Sequence, residues 1–80
     1  MSKHKHEFVE SYEGLVGFGL DRETDECTVK VYLQKFSDDD FMNLIINRLS
    51  DAELEEIFNF LSRMIYNKIT EDEYHKYFLK

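Results

Sequence analysis

In the second half of the chain the apolar residues fall on helical spacing. Between Ser50 and Thr70, Leu54, Ile57, Phe58, Leu61, Met64 and Ile65 recur three and four residues apart, which predicts a helix with one apolar face. After Ser37, a second stripe is formed by Phe41, Leu44, Ile45 and Leu49. Met42 and Ile46 widen it to about 200°, more than a helix resting on a single core needs, so this helix is expected to be covered on more than one side. Beyond Thr70, Tyr74, Tyr77 and Phe78 share a face, with Leu79 at its edge.

The polar residues between these stripes mark where helices begin. Thr24, Ser37, Ser50 and Thr70 each precede acidic residues. A hydroxyl at the N-cap accepts a bond from an unpaired backbone N–H, and carboxylates in the first turn complement the positive end of the helix dipole. Ser50 with Glu53 and Thr70 with Glu73 also have the spacing of a capping box. Four signals predict four helices.

Residues 25–36 read both ways. Val29, Tyr32, Leu33 and Phe36 fit a helix, whereas Val29, Val31 and Leu33 alternate as in a strand. The acids after Thr24 favour helix. The expected fold is therefore all-α, a small bundle of about four helices. Ahead of it lies an irregular N-terminal segment in which all three glycines fall, within Tyr12 to Leu20. The alternative is α+β, with that segment and residues 27–35 paired as an N-terminal β-hairpin.

Eighty residues suffice for one domain, and a chain this short buries only about 60% of the surface it exposes when unfolded. With 42% hydrophobic residues and twelve aromatic rings it can still build a core, so residues 1–80 are expected to fold as one domain, with residues 1–6 as a loose tail. Cys27 is the only cysteine; without a disulfide to staple so small a chain, a reducing cytoplasm is the expected compartment. No apolar run approaches the roughly 18 residues of a membrane span, and Ser2 to Glu10 lacks the apolar stretch of a signal peptide.

Seventeen acidic residues against ten basic give a net charge of −7, which repels nucleic-acid backbones and anionic lipid, so neither is an expected partner. The excess has a structural source. Ten of the acids (Asp25, Glu26, Asp38, Asp39, Asp40, Asp51, Glu53, Glu71, Asp72 and Glu73) follow capping residues.

Candidate chemistry is sparse. If the initiator methionine is removed, the chain begins Ser2-Lys3-His4, whose amine, amides and imidazole form a tetragonal nitrogen donor set for copper(II) or nickel(II), with His6 as a possible axial ligand. A solvated tail is the plainer reading. His75 follows Glu71 and Asp72 by one turn, but one Asp-x-x-His lacks the partners of a di-iron site, and a half-buried place at the edge of the aromatic face accounts for it. Cys27 has no CxxC companion, and its acidic neighbours disfavour a thiolate, although a first-turn position would work the other way. The acid runs fail as calcium loops, since Glu26 stands where the turn needs glycine and Tyr32 where a bidentate glutamate belongs. Gly14, Gly17 and Gly19 do not have the order of a dinucleotide-binding or phosphate-binding loop.

The stretches YEGLVGFGLDRE, VYLQKFSDDDFM, NRLSDAELEEIF and EDEYHKYFLK resemble a short bacterial family described only as cytoplasmic proteins. The resemblance spans nearly the whole chain. It implies an intact bacterial cytoplasmic protein and carries no activity, cofactor or site residue.

With no clustered nucleophile, acid and base, the chain is expected to be a non-enzymatic module that binds a protein partner or its own copies. Phe60, Met42, Ile46 and Leu79, standing off the narrow apolar stripes, are the expected partner-binding residues, because aromatic and Met side chains are enriched at interfaces. The competing reading of these residues is core packing in a small domain. A metal-handling or sensing protein using His4 and His6 is the alternative function.

Overall fold

In a computed structural model that describes residues 6–80, the chain is all-α, and no strand occurs among the described residues. The helices are α1 (Glu7–Ser11), α2 (Arg22–Phe36), α3 (Asp39–Ile45), α4 (Asp51–Lys68) and α5 (Glu71–Glu73). A 3-10 turn, Ile46–Arg48, follows α3, and π-helical Tyr74–Phe78 continues α5. The chain divides into two compact units, residues 1–47 and Arg48–Lys80.

In the first unit the contested stretch is α2, not a strand of a hairpin. Its start differs from the expected one. Asp21, not Thr24, is the N-cap, its carboxylate accepting from the Thr24 N–H at 2.8 Å, so the helix begins three residues earlier and Cys27 lies beyond the first turn. The cap of α3 likewise moves from Ser37 to Asp38, which accepts from the Phe41 N–H. In both cases a carboxylate next to or near a hydroxyl takes the capping position, and the two side chains cap about equally well. α3 meets α2 through the edge-on rings of Phe36 and Phe41, 5.0 Å apart.

α1 has no counterpart among the four predicted helices. His6 at its N-cap makes no side-chain cap, which removes the signal used to find the others. What holds this single turn is the stack of Phe8 on Tyr12, one turn apart with centroids 5.1 Å from each other, and its packing on α2. The Lys30 ammonium lies 4.4 Å above the Phe8 ring.

In the second unit the predicted capping boxes are both formed. Ser50 accepts from the Glu53 N–H at 3.1 Å while Glu53 accepts from the Ser50 N–H at 2.8 Å; Thr70 and Glu73 repeat the pattern at 3.2 and 2.8 Å. Such a cap contributes about 1 kcal/mol. After Glu73 the helix widens: the Leu79 N–H reaches back five residues to the Tyr74 carbonyl, and Tyr74 stacks on Phe78 at 5.3 Å.

Candidate interaction surface

One face of α2 holds the segment that precedes it. Asp25, Thr28, Val31, Gln34 and Ser37 are spaced three residues apart, which places them in a slowly drifting row along the helix. Four of them hold residues 6–19, which run antiparallel to the helix. His6 Nε2 is bonded to Ser37 Oγ at 2.6 Å, and the Val9 N–H donates to Gln34 Oε1 at 2.9 Å. The Gly17 N–H donates to Thr28 Oγ1 while that hydroxyl donates to the Gly17 carbonyl, both at 3.0 Å, and the Gly19 N–H donates to Asp25 Oδ1 at 2.8 Å. Among the described residues only Thr28 (5% exposed) and Val31 (4%) are buried, and both belong to this row.

The glycines serve this strap. Gly19 has φ +96°, a left-handed conformation that costs a residue with a Cβ roughly 1 kcal/mol. A Cβ on Gly14 would run into the Tyr12 ring, which folds over it so that its hydroxyl donates to the Leu15 carbonyl at 3.0 Å. Partial burial, and then the neighbouring Cys27 thiol, hold the Tyr12 phenol above its ordinary pKa of 10.0. A folded-state pKa above the unfolded one stabilises the latch below pH 10 and is lost as pH rises through the raised value. Absorbance titration is therefore expected to show a phenolate midpoint above 10 that disappears in Tyr12→Phe.

Phe18 of the strap joins Val29 and Leu33 in an open groove whose lining also includes Arg22, Asp25, Glu26 and Lys30. Arg22 bonds Glu26 at 2.6 Å. The groove contains no buried polar group and no cluster of nucleophile and base.

The second unit also carries exposed apolar side chains. No residue of α4 is buried, although the helix runs for 18 residues. Leu54, Ile57, Leu61 and Met64 follow a three-four-three rhythm and are 39–44% exposed; Phe60 (51%) and Phe58 (69%) flank them, and Tyr66 (87%) marks the opposite side. Arg63 lies 5.4 Å from the Phe60 ring. Charge is distributed unevenly along α4: Asp51, Glu53, Glu55 and Glu56 occupy its first half, Arg63 and Lys68 its second. Most helical stability in proteins comes from packing of an amphipathic face, and here that face is half-exposed.

The expected partner-binding residues divide between the units. Met42 is half-buried and Ile46 exposed at the end of α3, where the Ile46 N–H bonds the Met42 carbonyl. Phe60 and Leu79, each 51% exposed, belong to the second unit. Leu54, Ile57, Leu61 and Met64, the stripe that Phe58 and Phe60 flank, have a periodicity that is the same for a core and for an interface.

Of the expected metal ligands, His4 lies outside the described residues and His6 is engaged with Ser37. No group of three or more His, Cys, Asp or Glu capable of holding a metal occurs among the described residues. His75 is exposed rather than half-buried; it stands edge-on to Tyr74 at 5.8 Å, with its Nε2 3.8 Å from Glu71. Among the described residues no helix is long and apolar enough to cross a membrane. No family model, curated protein or solved structure matches the chain.

Proposed function

We propose that this chain is a non-enzymatic protein-interaction module of the cytoplasm, which docks through the apolar row of α4 onto a protein partner or a copy of itself. The observation that carries the reading is the exposure of Leu54, Ile57, Leu61 and Met64 along a helix with no buried residue. Contiguous apolar surface of this kind is rare on monomers and common where proteins meet. The flanking aromatic rings of Phe58 and Phe60 and the thioether of Met64 are the side-chain types that interfaces favour. The acidic balance of the chain supports a protein partner over nucleic acid or anionic membrane. A single cysteine supports a reducing compartment.

Amide hydrogen exchange at α4 tests this directly. Protection of residues 54–65 is expected to fall on dilution of the purified chain, or to rise when a partner is added. Strong protection that is independent of concentration and partner would mean that the row is core, and would end this reading.

A further inference from the structure

We propose that the occupant of the α4 row is α4 of a second copy, packed antiparallel about a two-fold axis level with Asn59. This rests on the interaction reading above and names its partner. The apolar row has the heptad rhythm of a helix pair, with Leu54 and Leu61 at one core position and Ile57 and Met64 at the other. Turned end for end about Asn59, the row meets itself: Leu54 lies beside Met64 of the second copy, and Ile57 beside Leu61. Phe58 then faces Phe58 of the second copy along one flank, and Phe60 faces Phe60 along the other. Both aromatic pairs straddle the axis, where an isologous contact must be its own complement.

Charge selects the direction. In a parallel pair the four acids of the first half would stack against the same four acids. In the antiparallel pair they face the half that carries Arg63 and Lys68. Lys68, in line with the apolar row, comes level with Ser50 of the second copy, one residue from Asp51, whereas Arg63 lies towards the far side of the helix. The helix dipoles also oppose each other in this arrangement. A different protein would have to supply both the matching apolar spacing and the reversed charge gradient, whereas a second α4 has both. The half-exposed row and its two flanking rings offer on the order of 500 Å² of apolar side chain per copy, so about 1,000 Å² in the pair, where specific interfaces begin.

The test is sedimentation equilibrium of the full chain from micromolar to millimolar concentration, with Asp51→Lys, Lys68→Glu and the double variant, and hydrogen exchange read on the same samples. Both residues are exposed and stand at the two ends of α4, so the variants keep the body of the helix. Wild type is expected to dimerise. Each single variant should weaken the dimer about tenfold, and the double variant should return to within about twofold of wild type, because the two symmetric pairs are restored with their signs exchanged. A dimer indifferent to all three changes would overturn the antiparallel pairing and leave the interaction reading standing. A monomer at every concentration would also overturn it: with α4 amides exchanging freely, the row is kept for a different protein, and with α4 amides protected, the interaction reading falls as well.

Discussion

Replacing Leu61 by glutamate is expected to weaken association through α4 by at least about 100-fold, equivalent to roughly 3 kcal/mol. Leu61 stands in the middle of the apolar row and is 44% exposed in the chain by itself. Covering its remaining surface contributes about 1–2 kcal/mol, and a carboxylate there must either be desolvated or hold the partner away. In a symmetric pair the change occurs twice. Because no residue of α4 is buried within the chain, the variant should retain its helix content, with glutamate an adequate helix former. Tyr66→Glu is the control: Tyr66 is 87% exposed on the far side of the helix and should associate as wild type does. Light scattering gives the mass, and far-ultraviolet circular dichroism the helix content. Loss of helix in Leu61→Glu at concentrations where wild type is monomeric would place Leu61 in the chain's own core.

Thr28→Val is expected to destabilise the first unit by about 2–3 kcal/mol, the largest effect of any single isosteric change in that unit. Valine matches threonine in shape, so packing around Val31 is preserved. What disappears is one hydroxyl that both donates to the Gly17 carbonyl and accepts from its N–H. Both backbone groups are then left without their partner at a site where the side chain is only 5% exposed. Thr28→Ser keeps the hydroxyl and loses a methyl group, a cost of about 1 kcal/mol. The ratio of the two separates hydrogen bonding from packing. Urea unfolding supplies the energies, and exchange at the Gly17 amide reports whether the strap has lifted. Equal losses in the two variants would show that packing, not the paired bonds, holds the strap on α2.

Much of the helical layout was legible from the chain. Ser50 and Thr70 were readable as caps because each sits three residues before a glutamate and just ahead of an apolar row, and both boxes form. The starts of α2 and α3 were less legible, since Asp21 and Asp38 stand close to the equally able Thr24 and Ser37. Residues 25–36 carry both periodicities, and the outcome turned on which face had something to hold. As a helix, the stretch lines up Asp25, Thr28, Val31 and Gln34 against residues 6–19; as a strand, it would divide them between two faces. α1 was missed because one turn without a cap has almost no local signature beyond Phe8 and Tyr12 spaced four residues apart.

The candidate surface was legible as a pattern and not as a surface. Leu54, Ile57, Leu61 and Met64 announce an amphipathic helix, but spacing records only that one side is apolar, not what covers it. Phe60 was singled out from sequence because it stands off that row, and the structure places it on the row's flank, 51% exposed.

By itself, then, the sequence determined where helices form and where their charges lie, because apolar period and capping are local properties of neighbouring residues. The tertiary structure alone decided two things. One is the path of residues 6–19, held mainly by bonds from α2 side chains to backbone groups that every residue type shares and that leave no mark in the sequence. The other is that the second unit leaves every residue of α4 unburied, because burial depends on what packs against a helix, and the helix's own residues cannot specify that.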